Sequence, residues 1–445
     1  MRLLLTIGMN PLPVLVAGYR LCCHFRNDAG FPAITAVCSS GSESEARKIK
    51  ERLEGKLRTV GYRAKGDALA WDEVKVSPGN PDSILNGVLS RVQGAAEPVH
   101  LHYTGGTKAM VAHAMQVLGT RDRDQVSTSY LDINDHRLHC WNMSKFGGPV
   151  DERKEWKELT PSDLAELHGM TVVSRGSTTE PNVLEASTKL YDRIVYNESS
   201  WNQWQDWKER TWRASFTGWD WGKKDPPKKY WPIESVPWPA ISSPGWDEVP
   251  EKINAAYTPA TDPPVLFQSG TGQWAIHVQH MTRERLKGFV EFLESKALEH
   301  YVFERTRALS PPNQAVHSFR ARSSGASKDC EIDVVATLGY HIVALSCTEA
   351  TRRDMVKGKG FEVWHRARQI GGDGARAVVV SPALDSPRSN AQAEELENDL
   401  ADDVGLQDSE GRKVLPVRFF GFGKMRGGCL GQALADYLEQ DLNWR

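Results

Sequence analysis

The segment Thr104-Gly105-Gly106-Thr107-Lys108 has the composition of an anion-binding loop. It lies between a predicted strand, Val99–Tyr103, and a predicted helix, Ala109–Leu118. Glycines let backbone N–H groups approach a phosphate closely, and the start of a helix favours negative charge. The threonine hydroxyls and the Lys108 ammonium add donors and positive charge. The spacing differs from the P-loop pattern, so hydrolysis of nucleoside triphosphates is not implied.

Two further polar loops are expected beside the Thr104–Lys108 loop. The predicted first strand, residues 2–7, is followed by Gly8 and Asn10, and the second, residues 32–38, by Ser39 and Ser40. The carboxyl ends of parallel strands meet in one crevice of a doubly wound sheet, so the three loops should converge there. Such convergence favours a ligand site over a purely structural turn. The candidate ligand-binding residues are therefore Gly8, Asn10, Ser39, Ser40, Thr104, Gly105, Gly106, Thr107 and Lys108.

A second set of chemically capable residues lies near the carboxyl terminus. Glu331-Ile332-Asp333 begins a predicted strand, so both acids should share one face while Ile332 and Val334 enter the core on the other. The next predicted strand ends in Ser346-Cys347-Thr348, and Glu299 lies on an earlier helix with an apolar stripe. Alternating acids alone are common on the solvent side of an edge strand. Only the wider order of these segments favours a catalytic site.

The elements that must position these residues alternate between strands and helices. Residues 1–150 contain strands joined through helices by short links, which indicates a parallel sheet wrapped by helices. Residues 151–285 are predicted to be a charged linker with helices and a tryptophan-rich insertion. Residues 286–445 are predicted to form a second α/β unit.

The composition is that of an ordinary globular chain. Its 445 residues allow two or three domains, and 40% are hydrophobic and 25% charged. The net charge of −2 gives no global attraction to nucleic acid, so any such binding needs a local basic patch. The seven cysteines include no CxxC pair, which argues against a zinc site and a disulfide framework. No signal peptide or membrane-spanning run is evident, and the expected location is the cytoplasm.

Three segments together resemble a CARF domain: Thr6–Pro13, His102–Met110 and Leu164–Gly169. Such domains have a Rossmann-like plan and sense cyclic oligoadenylates made by type III CRISPR systems. The resemblance implies a homodimer whose two-fold cleft takes a ring of adenylates, with cyclic tetra-adenylate as the activator. Lys108 and the loop amides would meet phosphates, and the early loops would hold riboses or bases.

The carboxyl-terminal order resembles the PD-(D/E)xK core, a restriction-endonuclease-like α/β domain. The Can/Card group of nucleases pairs this core with a CARF domain, and carries Asn-Glu-Ile-Asp-Val followed by Glu-Cys-Lys or Ser-Cys-Lys. This chain has Cys330–Val334 and Ser346-Cys347-Thr348 at the corresponding places. The resemblance makes Glu331, Asp333, Ser346 and Thr348 the candidate catalytic positions, and Glu299, Asp333 and Cys347 the candidate positions for Mg²⁺ or Mn²⁺.

Thr348 stands where that group has lysine. Lys357 or Lys359, on the following helix, could reach back, and Glu349 or Glu331 could replace a missing acid ligand. Three interpretations stay open: a metal-dependent nuclease acting on DNA or RNA, a sensor with an inactive nuclease domain, and a phosphodiesterase that opens the cyclic signal. A Rossmann-type metabolic enzyme is disfavoured because no GxGxxG follows the first strand.

Residues 200–246 hold nine of the 15 tryptophans, among lysine pairs and prolines. The nine are Trp201, Trp204, Trp207, Trp212, Trp219, Trp221, Trp231, Trp238 and Trp246. They could form a stacking platform for single-stranded nucleic acid, with charge from Lys223, Lys224, Lys228 and Lys229. Tryptophans are more often packed than presented, so packing against a neighbouring domain or subunit is the favoured interpretation.

Overall fold

The computed structural model describes residues 1–442 with the exception of 28–29, 60–68, 94–96, 133–136, 144–145, 147, 149, 151–158, 177–178, 217–233, 260, 310–313, 324, 339–340, 387 and 406–414. Within these ranges the strands form two six-stranded sheets and one three-stranded sheet. No helix in the described ranges is long and apolar enough to cross a membrane.

The amino-terminal sheet has the strand order β3-β2-β1-β4-β5-β6. Its strands are β1 (Arg2–Thr6), β2 (Ala33–Cys38), β3 (Trp71–Lys75), β4 (Val99–His102), β5 (Val126–Asp132) and β6 (Arg137–Trp141). Its helices are α1 (Leu12–His24), α2 (Glu43–Thr59), α3 (Pro81–Val92) and α4 (Lys108–Leu118). Neighbouring strands are parallel except in the β5–β6 hairpin. The Rossmann-like plan predicted from the sequence is confirmed.

The strand order places a topological switch point at β1. The chain runs from β1 through β2 to the edge strand β3, and then returns to β4 on the other side of β1. Connections on the two sides therefore diverge, which opens a crevice at the carboxyl ends of β1 and β4. The loop after β1 and the Thr104–Lys108 loop both lie at this crevice.

The middle of the chain supplies a helical layer and two kinds of strand. Its elements are α5 (Pro161–Leu167), β7 (Met170–Arg175), α6 (Pro181–Ile194), α7 (Glu198–Trp207), β8 (Val236–Pro237), α8 (Val249–Tyr257), β9 (Leu266–Gln268) and β10 (Trp274–Ile276). The short strands form their own sheet in the order β8-β10-β9. In contrast, β7 is an edge strand of the carboxyl-terminal sheet. Part of the segment predicted as a linker thus belongs to that sheet, while the domain limits at 150 and 285 stay predictions.

The carboxyl-terminal sheet has the order β15-β14-β13-β12-β11-β7. Its further elements are α9 (Arg283–Glu291), α10 (Ala297–Arg307), β11 (Ala315–Ser323), β12 (Cys330–Leu338), β13 (His341–Cys347), α11 (Arg353–Gly371), β14 (Arg376–Val380), α12 (Ala393–Val404), β15 (Val417–Phe420), α13 (Phe422–Met425) and α14 (Leu430–Leu442). The pairs β7–β11, β11–β12 and β12–β13 are antiparallel. The pairs β13–β14 and β14–β15 are parallel. Helix α10 packs against β11, β12 and β13.

Strand β12 does not alternate as the sequence predicts. Ile332 packs in the cluster that continues into the amino-terminal sheet, whereas Val334 packs in the cluster that contains α10 and the tryptophans. The expectation that Ile332 and Val334 share a face is therefore wrong. The change occurs at Asp333, between the pairs Phe319–Ile332 and His317–Val334, where Ser318 is the intervening residue of β11. Ser318 has a positive φ of 52°, an uncommon conformation for a residue other than glycine.

Six tryptophans of the Trp-rich stretch are buried in the described residues. Trp201, Trp204, Trp207, Trp212, Trp238 and Trp246 are each at most 7% exposed. Trp207 stacks on Trp212 with ring centroids 5.8 Å apart, and Trp238 stacks on Trp246 at 5.7 Å. These six side chains pack as the favoured interpretation predicts. Trp219, Trp221, Trp231, Lys223, Lys224, Lys228 and Lys229 lie outside the described residues.

A buried lysine ties the tryptophan layer to the end of β13. Lys208 follows α7 and is 1% exposed. Its Nζ donates to Glu349 Oε2 at 2.9 Å and to the Leu293 carbonyl oxygen at 2.9 Å, and lies 3.5 Å from Glu294 Oε2. Glu349 also accepts a hydrogen bond from the Tyr191 hydroxyl. Buried charges need such partners, so this network holds α7 against the sheet.

We predict that Lys208→Met destabilises the protein by about 3–5 kcal/mol, because it leaves the buried Glu349 carboxylate without its cation. The measurement is the free energy of unfolding in urea. Lys252→Met is the matched control, since Lys252 pairs with Glu185 at 2.8 Å while both side chains are over a third exposed. That surface pair should contribute less than about 1 kcal/mol. Equal effects of the two substitutions would contradict the prediction.

Candidate functional site

The Thr104–Lys108 loop is fastened to the end of β1 by close backbone contact. The Thr6 hydroxyl donates to the Gly105 carbonyl oxygen at 2.6 Å. A Cβ at Gly105 would lie 2.2 Å from the Thr6 carbonyl oxygen, and one at Gly8 would lie 2.8 Å from the Gly106 nitrogen. Gly106 itself has a φ of 79°. Glycine at these positions is therefore what allows the two loops to touch.

The loop after β2 joins the same crevice. The Ser42 hydroxyl donates to the carbonyl oxygen of Ile7 at 3.0 Å, and it accepts from the backbone nitrogen of Ser39 at 3.0 Å. Ser39 and Ser42 hydroxyl oxygens are 3.2 Å apart. Ser42 thus links the β2 loop to the β1 loop. Ser40, beside it, is exposed.

The candidate ligand residues divide into those that shape the crevice and those that face outward. Thr104 Oγ1 accepts from the backbone nitrogen of Leu131 at 2.5 Å, and Thr107 caps α4 by accepting from the Met110 nitrogen at 3.2 Å. Asn10 Oδ1 accepts from the Leu12 nitrogen at 3.3 Å. Lys108 is exposed at the first position of α4. Positive charge at a helix N-terminus suits a bound phosphate.

Two buried histidines support the floor of this crevice. His100 bonds Ser127 and Ser129 through its two ring nitrogens, both at 2.8 Å, and His102 Nδ1 lies 3.1 Å from the Ser129 hydroxyl. Burial lowers the pKa of His102 to about 3, and burial together with the neighbouring His102 and His24 lowers the pKa of His100 well below its ordinary value. Both rings are neutral at pH 7, so they fix the strand ends without adding charge.

The carboxyl-terminal site is centred on Asp333. Its Oδ2 accepts from the backbone nitrogen of Cys347 at 2.7 Å and from the Ser346 hydroxyl at 3.1 Å. Both bonds end on one oxygen, so Oδ1 accepts neither of them. The structure therefore brings Asp333 of β12 to the end of β13, where Ser346 positions its carboxylate.

Glu299 reaches the same place from helix α10. The residue is 7% exposed, and burial together with the charge of Asp333 raises the pKa of its carboxyl group. The helix that carries Glu299 packs against β12, the strand that carries Asp333, and against β13. Two segments that are far apart in the sequence thus contribute to one acidic site.

Lys296, one helical turn before Glu299, is a residue that sequence reasoning missed. Its Nζ lies 2.5 Å from Glu299 Oε2 and 3.4 Å from the Ser318 hydroxyl oxygen. Burial opposes its charge, but Glu299, Glu331 and Asp333 raise the pKa of Lys296 above its ordinary value. The i, i+3 spacing of Lys296 and Glu299 on one helix was the available signal.

Several expected substitutes are engaged elsewhere. Glu349 lies in the Lys208 network, and Glu331 pairs with Arg320 at 3.0 Å. Lys357 Nζ pairs with Asp403 at 2.7 Å, and Lys359 Nζ pairs with Glu362 at 3.1 Å. Each of these four side chains therefore has an ion-pair partner in the structure. That one of them substitutes for a missing site residue stays a prediction.

Thr348 cannot supply the missing charge. Its hydroxyl oxygen accepts from the backbone nitrogen of Ala350 at 3.1 Å, which starts the turn into α11. Cys347, beside it, is half-buried, and desolvation and the charges of Asp333 and Glu299 raise the pKa of its thiol well above the ordinary value. The Cys347 thiol would have to lose its proton to bind a metal ion, whereas its backbone nitrogen already donates to Asp333 Oδ2.

Two carboxylates of this site have the chemistry of ligands for a divalent metal ion. Within the described ranges, no group of three His, Cys, Asp or Glu side chains is placed to hold a metal. Glu299 and Asp333 are nevertheless two hard oxygen ligands whose mutual repulsion a cation would relieve. Mg²⁺ commonly keeps several waters and takes only one or two carboxylates, so this pair fits Mg²⁺ or Mn²⁺ better than zinc.

Comparison with known proteins gives fold-level matches. No protein-family model and no curated protein matches the sequence. The crystal structure of protein VC1899 from Vibrio cholerae matches with a TM-score of 0.61 and 12% identity, over 98% of both chains. Can2 from Sulfobacillus thermosulfidooxidans, solved in complex with cyclic tetra-adenylate, matches with a TM-score of 0.58 and 11% identity, over 98% of this chain and 96% of that chain.

The chain has a Can2-like fold. The match extends over nearly the whole of both chains, so it includes the Rossmann-like sheet and the carboxyl-terminal sheet together. The order of a CARF-like domain followed by a restriction-endonuclease-like α/β domain, predicted from short motifs, is confirmed at the level of fold. The candidate residues within this Can2-like fold remain predictions.

We predict that Gly105→Ala lowers the free energy of unfolding by about 1–3 kcal/mol, because the new Cβ would overlap the Thr6 carbonyl oxygen and push the Thr104–Lys108 loop away from β1. The measurement is unfolding in urea. Gly79→Ala is the control, since a Cβ there would meet nothing within 4 Å. Equal stability of Gly105→Ala and Gly79→Ala would contradict the close contact of the two loops.

We predict that the protein loses stability as the pH falls from about 6.5 towards 3, where His102 takes up its proton in the folded state. In the unfolded chain this histidine takes up its proton near pH 6.5, so below that pH protonation stabilises the unfolded state alone. The free energy of unfolding should therefore fall by about 2–3 kcal/mol between pH 6.5 and about pH 4.5. Urea unfolding of wild type and His102→Asn over this range measures the slope. The variant should have the shallower pH dependence, and equal slopes would exclude His102 as the source.

Proposed function

We propose that the protein is a nuclease of type III CRISPR antiviral defence, activated by a cyclic oligoadenylate and dependent on Mg²⁺ or Mn²⁺. The observation that carries the proposal is that α10, which bears Glu299, packs against β12 and β13, where Ser346 and Cys347 hold Asp333. A PD-(D/E)xK nuclease would need acids from two such distant segments at one site. The shared fold with Can2, which was solved with cyclic tetra-adenylate, supports the choice of activator.

The proposed activator site is the crevice at the carboxyl ends of β1 and β4. Lys108 and the N-terminus of α4 would bind phosphates, while Asn10, Ser39 and Ser40 would meet riboses or bases. Gly8, Gly105 and Gly106 keep the loops close enough for backbone N–H groups to reach the ligand. Thr104 and Thr107 position the loop through their bonds to Leu131 and Met110.

A ring of adenylates has rotational symmetry, and a homodimer offers two copies of the same crevice. We propose that each copy supplies one Thr104–Lys108 loop to the ring. Ligand binding can then favour one arrangement of the two chains, provided that it binds that arrangement more tightly. The carboxyl-terminal sites would follow this arrangement, which connects the signal to cleavage.

At the carboxyl-terminal site, Glu299 and Asp333 would hold the metal ion. The ion, when bound, activates the attacking water and neutralises charge on the phosphate. Ser346 and the Cys347 nitrogen hold Asp333 Oδ2, so the carboxylate is oriented before any ion arrives. Glu331, on the same strand, adds negative potential near the site and is held by Arg320. The substrate would be DNA, RNA or both.

We predict metal-dependent cleavage that appears only with the activator. Purified protein is incubated with supercoiled plasmid and with labelled single-stranded DNA and RNA, in Mn²⁺ or Mg²⁺, with and without cyclic tetra-adenylate. Asp333→Asn should abolish cleavage, because it removes a charged oxygen ligand while keeping the hydrogen bond from Cys347. Binding of the activator by Asp333→Asn should equal that of wild type, since the two sites are separate.

The same assay separates the rival functions. Tight binding of cyclic tetra-adenylate without cleavage of any nucleic acid would identify a sensor with an inactive nuclease domain. Loss of the cyclic ligand itself in EDTA would identify a phosphodiesterase acting at the Thr104–Lys108 loop. Light scattering with and without activator tests the homodimer, and a monomer in both conditions would exclude the proposed shared ring.

A further inference from the structure

We propose that Lys296 is the catalytic lysine of this site, in place of the lysine that Thr348 has replaced. Its ammonium group would bind a non-bridging oxygen of the scissile phosphate. This inference rests on the proposed nuclease function and adds a residue to it. The chemical class that Lys296 recognises is a phosphodiester, held between this lysine, which directly precedes α10, and the acids of β12.

The position of Lys296 carries the proposal. Its Nζ contacts Glu299 Oε2 at 2.5 Å and lies 3.4 Å from the Ser318 hydroxyl. Ser318 lies between Phe319 and His317, which pair with Ile332 and Val334 on either side of Asp333. The ammonium group therefore contacts Glu299 and the part of β11 that runs beside Asp333. Its side chain is 27% exposed, so one side of it is open to a substrate while the other is packed.

The helix has an irregularity that places Lys296 there. Phe292–Lys296 is a π-helical turn between α9 and α10. A π-turn contains an extra residue, which rotates the following side chains relative to a regular helix, and such turns are frequent at functional sites. Phe292 and Leu293 of this turn are fully buried or nearly so, which anchors the turn and leaves Lys296 at its open end.

The other nearby lysines are accounted for by acids outside the site. Lys357 is held by Asp403, and Lys359 by Glu362. Lys208 is buried between Glu349 and Glu294. Lys296 differs from all three because its acid partner, Glu299, is itself part of the proposed catalytic pair.

The reaction balances without any further reactant. Water adds to phosphorus as the bond from phosphorus to the leaving oxygen breaks. One proton of the attacking water passes to solvent, and the leaving alkoxide takes a proton from a second water. The products are a phosphate monoester and a free hydroxyl group. Lys296 keeps its proton throughout and stabilises the charge that develops on the non-bridging oxygens.

The test combines loss with rescue. Lys296→Met and Lys296→Gln should lower kcat by about a hundredfold or more with little change in KM, as expected for loss of one transition-state donor. Thr348→Lys restores a lysine at the end of β13, so the double variant Lys296→Met/Thr348→Lys should recover at least about tenfold of the lost rate. A purely structural role of Lys296 gives no reason for such rescue.

Controls make each result decisive. Lys252→Met, remote from both sites, should cleave like wild type. Thermal unfolding and binding of cyclic tetra-adenylate show whether each variant is folded. Lys296→Gln keeps a hydrogen-bond donor to Glu299, so it separates loss of charge from misfolding if Lys296→Met is unstable. The expected result is a folded, activator-binding Lys296→Gln that does not cleave.

Three outcomes would overturn the proposal. One is a folded Lys296→Gln with wild-type kcat, and another is loss of cleavage in Lys359→Met instead. The third is an inactive wild type that gains activity from Thr348→Lys alone, which would mean that Lys296 does not replace the lost lysine. A wild type and a Thr348→Lys variant that both fail to cleave would instead reject the nuclease function itself, and the lysine role with it.

Discussion

The carboxyl-terminal site is organised by two like charges that are held close together in a mostly buried place. Glu299 and Asp333 come from a helix and a strand, and the pKa of Glu299 is raised by burial and by the charge of Asp333. Such a pair is unfavourable unless a cation or a proton compensates it. Lys296 supplies that cation within the chain, and the π-turn before α10, the positive φ of Ser318 and the changed alternation of β12 all occur around it. These three irregularities thus lie near the Lys296–Glu299 ion pair.

The two candidate sites are connected through packing. One hydrophobic cluster includes Leu3 and Leu5 of the amino-terminal sheet together with Ile332 and Ile342 of the carboxyl-terminal sheet. Ion pairs cross the same junction, since Lys56 of α2 pairs with Asp163 of α5 at 3.0 Å. A close-packed interior does not bend gradually. It transmits a displacement by changing from one discrete packing arrangement to another. A ligand at the crevice of β1 and β4 can therefore influence β12 only by favouring one such arrangement over another.

Sequence patterns predicted the parts of the fold in which local signals and tertiary structure agree. The strands around Leu3–Leu5 and Val99–Leu101 are continuous apolar runs because helices cover both faces of the sheet. In contrast, β7 and β11 were missed: Thr171 and Arg175, and Arg320 and Arg322, place polar or charged residues within edge or near-edge strands. The proximity of Asp333 to Glu299 could be anticipated only through a family resemblance, because the change of face at Asp333 depends on the opposing Ser318. Lys296 was missed because its position near Ser318 depends on tertiary packing, which the local sequence around Lys296 does not determine.

The position of Lys296 also suggests how such a site could stay inactive until a substrate binds. In the described structure the ammonium neutralises Glu299, so a divalent cation that binds Glu299 and Asp333 must compete with an internal positive charge. A phosphodiester substrate would give that ammonium group a new anionic partner and would free Glu299 for the metal. Metal and substrate binding are then linked by electrostatics, because each makes the other more favourable. Threonine at position 348 is therefore compatible with a working site. Binding of the metal ion would then depend on a substrate that draws Lys296 away from Glu299.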